Sequence, residues 1–170
     1  MRLECEKSVI REWAPSDKAA LVRFANNRNI WRNLAHVFPH PYTDADADWW
    51  FSFLAGMPEP TSWAIEVDGL AVGAIGVTLK EGIYLKSAEF GYWLGEPYWG
   101  RGIMTEAISE FVSYCFKKFP LHRIYAEAYA NNLASAHVLE KAGFVLEGRL
   151  RKNVVKDGKV LDSLLFAKTV

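Results

Sequence analysis

The stretch Glu96–Ala107, EPYWGRGIMTEA, places Gly100, Arg101 and Gly102 directly in front of an amphipathic run. Ile103, Ala107, Ile108, Phe111, Val112, Cys115, Phe116 and Phe119 recur at helical spacing, and Pro120 stops the pattern. This spacing predicts a helix over 103–119. The segment before it, SAEFGYWL (Ser87–Leu94), reads as a strand by its aromatic content, and RIYAEAYA (123–130) alternates as a strand after it. Strand, glycine turn, helix and strand make a right-handed βαβ crossover, so the fold class is α/β with a mixed sheet. A glycine turn at a helix N-terminus exposes unpaired amides at the positive end of the helix dipole. Gly100 and Gly102 let a phosphate approach the backbone, and Arg101 adds a charge-assisted contact. The plainer alternative is a tight turn and nothing more. Neither the GxxxxGK[ST] phosphate loop nor the GxGxxG dinucleotide fingerprint is present.

Outward from this centre, Pro15 and Ser16 precede a helical segment in which Leu21, Phe24 and Ala25 share a face. TDADADWWFSFLAG opens with Thr43 and Asp46 at capping-box spacing and closes at Gly56, predicting a second helix. Before GMPEPTS (Gly56–Ser62) the pattern is mostly helical; after it the period becomes two. SWAIEV and LAVGAIGVTL flank Asp68-Gly69, a hairpin signal, and the closing pair FVLEGRLRKNVV and KVLDSLLFAKTV flanks Asp157-Gly158. NLASAHVLEKAGF between them is a short helix with Gly143 at its end.

The 170 residues suit a single domain, 1–170. With 51% hydrophobic and 24% charged residues, the composition is that of a globular chain. Twenty Lys and Arg balance twenty Asp and Glu, which argues against nucleic acid as a partner. The N-terminus lacks an apolar signal region and no run reaches the ~20 apolar residues of a membrane span, so the expectation is a cytoplasmic protein with no membrane partner. Cys5 and Cys115 read as free thiols.

The run AEFGYWLGEPYWGRGIMTEA, followed about thirty residues later by NLASAHVLEKAGF, closely resembles the GNAT superfamily of acyl-CoA-dependent N-acyltransferases, in particular its RimJ and RimL branch. The resemblance covers essentially the whole chain. It implies the GNAT fold: a central, mostly antiparallel sheet with one parallel, splayed strand pair, flanked by helices. It also implies acetyl-CoA as co-substrate and a primary amine as acceptor, and dimers occur in the family. The family's phosphate motif falls on Trp99, Gly102 and Met104. Only Gly102 matches strictly; tryptophan at Trp99 is similar to the RimJ and RimL branch, and Met104 is bulkier than the usual small residue. The resemblance implies that amides of Gly100, Arg101, Gly102, Ile103, Met104 and Thr105 cradle a pyrophosphate. It likewise implies that backbone at Tyr92, Trp93 and Leu94 bonds pantetheine and that Asn132 touches the cofactor.

Attack of an amine on a thioester requires a base. Glu127 lies on the polar face of RIYAEAYA between Tyr125 and Tyr129, which points to a cavity wall. It also aligns with the catalytic glutamate of RimI-type members. Glu89, in AEFGYWL, is the second candidate base. For each, the competing reading is a buried ion pair with an arginine such as Arg123. Where many members carry a proton-donating tyrosine this chain has Leu139, and where some RimL-type members carry a carboxylate it has Val154. Ser135 resembles a serine proposed in RimL-type enzymes, with helix capping as its alternative role; Tyr92 and Tyr129 remain as donors.

Acceptor choice is expected in the N-terminal helices and loops. Trp31, His36, Phe38, His40, Tyr42, Trp49 and Trp50 stand there with Asp44, Asp46 and Asp48. His36 and His40 lack the helical spacing and third ligand of a metal site, so no metal is expected. Acids beside aromatics would suit a cationic amine. The alternatives are an antibiotic or polyamine acetyltransferase, and a non-catalytic acyl-CoA sensor.

Overall fold

The computed structural model describes residues 1–170. The strands are β1 (Arg2–Glu4), β2 (Val9–Arg11), β3 (Ser62–Val67), β4 (Leu70–Leu79), β5 (Ser87–Leu94), β6 (Arg123–Tyr129), β7 (Val145–Lys156) and β8 (Lys159–Thr169). They order as β1-β2-β3-β4-β5-β6-β8-β7 in one sheet, mostly antiparallel, with β5 and β6 as the parallel pair. The helices are α1 (Lys18–Ala25), α2 (Arg28–Trp31), α3 (Asp44–Ala55), α4 (Ile103–Lys118) and α5 (Leu133–Lys141). Two compact units divide the chain: Met1–Gly76 with Tyr92–Ile103, and Val77–Gly91 with Met104–Val170.

In the first unit, β1 and β2 form a short antiparallel pair where the sequence reads as mostly helical. Three-residue strands are too brief for a period-two pattern to register. Arg11 holds β2 in place: it donates to both carboxylate oxygens of Asp17, at 2.7 and 2.8 Å, and to Glu66 on β3. The α3 capping box forms, Thr43 N donating to Asp46 Oδ2 at 2.7 Å. Asp68 and Gly69 both take positive φ, as a two-residue hairpin with matched strand twist requires. Leu21, Ala25, Tyr42 and Ala47 make a buried cluster against which Trp13, Phe38, Trp50 and Trp93 pack.

In the second unit, Met104, Ala107, Ile108, Phe111, Val112 and Cys115 of the α4 stripe are buried, and Phe90 on β5 contacts Phe111 of α4, with ring centroids 6.1 Å apart. Phe144 stacks on the same Phe90 at 5.9 Å. Ile124, Ala126 and Ala128 of β6 are buried as alternation predicts. The parallel ladder runs only from Ser87↔Arg123 to Glu89↔Tyr125. Phe90 and Gly91 therefore have no ladder partner in Ala126 and Glu127. The final hairpin turns at Asp157 and Gly158, again with positive φ. β7 carries register shifts, one of them between Leu150 and Val154.

Candidate functional site

The turn before α4 has the conformation its glycines permit. Gly100 and Gly102 sit at φ 71° and 78°, in the left-handed region, and the helix begins at Ile103. A Cβ built on Gly102 would lie 3.0 Å from Nζ of Lys7, so this ammonium stands over the turn; at Gly100 nothing comes within 4 Å. The Arg101 guanidinium lies 5.6 Å from the centre of the Tyr98 ring. Two cationic side chains and a helix start thus converge where an anion would bind. Ile103 and Met104 are buried, at 3% and 7% exposure. The bulk of Met104 is taken into the core, leaving the outer surface of the turn to backbone. Thr105 is half-buried, and its carbonyl accepts from Ser109 Oγ at 3.1 Å.

The strand leading into the turn is tied down at both ends of the Gly95–Trp99 segment. Trp99 Nε1 donates to the Leu94 carbonyl at 2.7 Å, and Gly95 N donates to Val72 O at 2.7 Å. Glu96 accepts from Nδ2 of Asn27 at 2.6 Å and of Asn29 at 3.1 Å, and these bonds hold its carboxyl below the usual carboxylate range. The Trp93 carbonyl faces β4, lying 2.4 Å from where a Cβ on Gly73 would stand. Tyr92 is half-buried and Leu94 buried.

The candidate bases differ in their partners. Glu89 accepts from Lys80 Nζ at 2.6 Å on an exposed face. Glu127 is exposed, and its Oε1 accepts from Asn153 Nδ2 at 2.5 Å. Neither glutamate forms a buried pair with Arg123, whose guanidinium instead grips Glu147 with bonds of 2.7 and 2.5 Å. Glu127 is thus exposed, and the alternative of a buried ion pair with Arg123 does not form. Tyr129 is half-buried; burial, and secondarily the charge of Glu127, push its hydroxyl above the ordinary tyrosine value.

Asn153 was not foreseen from the sequence. It reaches Glu127 because β7 shifts register between Leu150 and Val154, with Lys152 at φ 52°. The bulge is pinned by Asp162, which accepts from Lys152 N at 2.8 Å and from Arg149 Nε at 2.7 Å. Asn153 Nδ2 also reaches Oγ of the fully buried Ser163, at 2.8 Å. A bulge of this kind re-aims a side chain; the turn-favouring asparagine within a strand is the local sign of it.

Asn132 Oδ1 accepts from Ser135 N at 3.2 Å, so the asparagine caps α5. Leu139 is buried. The acids of α3 are engaged: Asp46 closes the capping box, while Asp44 and Asp48 face Lys18 at 3.9 and 2.7 Å. His40 packs on Trp31 with centroids 5.7 Å apart. No group of three His, Cys, Asp or Glu side chains is placed to hold a metal, and no helix is long and apolar enough to cross a membrane.

Residues 8–145 match the profile of the acetyltransferase (GNAT) domain. The chain belongs to this family. Over 83 residues it is 50% identical to Probable N-acetyltransferase YjcK of Bacillus subtilis (strain 168), covering 49% of this chain and 46% of that protein. Over 85 residues it is 31% identical to the ribosomal-protein-serine acetyltransferase of Escherichia coli (strain K12), covering 50% of this chain and 48% of the other. The chain spans about half the length of the curated relatives it matches. Among solved structures, Mycobacterium smegmatis RimJ in complex with CoA-disulfide superposes with a TM-score of 0.83 at 30% identity, covering 96% of this chain and 82% of that one. These likenesses place the GNAT chain on the RimJ and RimL branch.

Proposed function

We propose that these 170 residues work as one cytoplasmic acetyl-CoA-dependent N-acetyltransferase domain, transferring acetyl directly to a primary amine in a ternary complex. The observation that carries this reading is the left-handed Gly100–Gly102 turn at the start of α4, with Lys7 and Arg101 beside it, in a chain of this family. Its donor set fits a diphosphate: backbone amides, an ammonium and a guanidinium. Amides from Gly100 to Thr105 would hold that group, the backbone of Tyr92, Trp93 and Leu94 would bond pantetheine, and Asn132 would add a contact. Bound acetyl-CoA supplies the activated acetyl thioester.

The chain's own part is proton handling. Glu127 accepts the amine proton at its carboxylate, directly or through water, with Asn153 fixing the carboxylate's orientation by its 2.5 Å bond. Glu89 is the less suited base, since Lys80 already holds it. Tyr129, on the same strand two residues from Glu127, and Ser135, at the start of α5, are the candidate donors toward a leaving thiolate. The acceptor is a protein N-terminus or a small amine; the name of the related ribosomal-protein-serine acetyltransferase favours a protein.

Calorimetric titration with CoA and thiol release from acetyl-CoA with a panel of amines test the proposal. Micromolar CoA binding with turnover of at least one amine is expected. Binding without turnover of any amine would overturn the enzyme assignment, and no binding would overturn the cradle as well.

A further inference from the structure

The first unit contains a cavity of about 570 Å³, within the range of small-molecule sites. Its walls come from α1, α3 and the segment before α3, and from Ala74 on β4 and Trp93 on β5. Trp93 lies between Tyr92 and Leu94, with which its backbone is assigned above to pantetheine. The cavity therefore adjoins the strand along which the acetyl group would be presented.

Its lining is almost wholly apolar and aromatic. Trp49, Trp50 and Phe53 form a stacked series on α3, with centroids 5.4 Å apart for Trp49–Phe53 and 5.7 Å for Trp50–Phe53. Trp49 and Phe53 are 61% and 45% exposed, although they are large apolar groups. The single carboxylate in the wall, Asp46, is held by Thr43 N and Oγ1 at 2.7 and 2.6 Å. Burial, with the charge of Asp46, pushes the Tyr42 hydroxyl up to about 12, so it is neutral at physiological pH. Lys18 engages the neighbouring Asp44 and Asp48. A polycation would find no uncommitted charge here and would lose hydration on entering.

We propose that this cavity receives a large apolar group, of leucine to tryptophan size, carried close to the amine that is acetylated. The preferred acceptor is accordingly an arylalkylamine or a peptide whose first side chain is large and apolar. Polyamines, and peptides beginning with Gly or Ser, are poorer acceptors. This rests on the acetyltransferase reading.

The test measures thiol release by the full chain with tryptamine, phenethylamine, spermidine and tetrapeptide amides beginning with Phe, Leu, Ser or Gly. Tryptophan fluorescence with CoA-loaded protein follows binding of the same compounds independently of turnover. Burial of one such side chain predicts a kcat/KM preference of roughly 10- to 100-fold for the apolar set. The amines against the peptides tell which source of the group is used. Trp49→Ala and Phe53→Ala, both at exposed positions, should raise KM for apolar acceptors several-fold while CoA affinity stays unchanged. Equal or better transfer to spermidine or the Ser peptide would overturn the proposal. If no compound is acetylated but the apolar ones bind and Trp49→Ala weakens them, the cavity assignment stands and the enzyme reading falls. If none binds or reacts, both fall.

Discussion

Replacing Asn153 by alanine tests the reading of Glu127 at the atom that orients it. The substitution deletes the 2.5 Å donor to Oε1 and the 2.8 Å contact to Ser163 Oγ. A hydrogen bond to a charged group is worth about 1.5–3 kcal/mol. Glu127 is exposed, so water replaces part of that, and the lower end, about 1.5 kcal/mol, is the fitting figure. If the bond acts by aiming the carboxylate, that loss falls on the barrier and kcat drops about tenfold. KM for acetyl-CoA should not move. The assay is initial-rate thiol release with the best acceptor of the panel, alongside Glu127→Gln and the double variant. Glu127→Gln should cost more than Asn153→Ala, and the double variant should be no slower than Glu127→Gln alone, because the bond's role disappears with the carboxylate. Additive losses, or wild-type kcat in Asn153→Ala beside an inactive Glu127→Gln, would refute the positioning argument. Wild-type kcat in Glu127→Gln would remove Glu127 as the base.

Gly102→Ala should lower CoA affinity by about tenfold in calorimetry, because a left-handed alanine costs about 1–2 kcal/mol and its Cβ displaces Lys7. Gly100→Ala carries the same strain without that clash, so equal losses in both would remove Lys7 from the account. Asp17→Asn should destabilise the fold by about 2 kcal/mol in urea, since it weakens the bidentate hold on the half-buried Arg11 guanidinium. Burial works to raise the Asp17 carboxyl, but the bonds from Arg11 and Ala14 N outweigh it and leave its pKa lowered. Its contribution is therefore present above the ordinary aspartate value and is lost as pH falls through the folded one, and the wild-type acid limb should flatten in Asp17→Asn. Cys115, fully buried and pushed up to about 12 by that burial, should resist a thiol reagent in the native protein, which should titrate only Cys5 until denaturant is added.

Most of the fold was legible because its elements carry local signals. The α4 stripe, both Asp-Gly hairpins and the Thr43 capping box formed where the sequence places them. The brief β1 and β2 were not legible, since three residues hold too little pattern and their pairing partners are distant in the chain. The glycine turn was legible for the same local reason as the hairpins: φ of the required sign is a property of glycine itself. Side-chain partners were not, because long polar side chains pair with whatever the folded chain brings near. Arg123 chose Glu147, Glu89 chose Lys80, and the acids of α3 chose Thr43 and Lys18. The sequence by itself thus determined the order of strands and helices from β3 onward, the glycine turn before α4 and the family. Only the tertiary structure decided that Met104 faces the core, that a bulge aims Asn153 at Glu127, and that the aromatic residues of α3 line a cavity with no uncommitted charge. Periodicity and backbone preference act within a few residues, whereas burial and pairing depend on contacts between residues far apart in the chain.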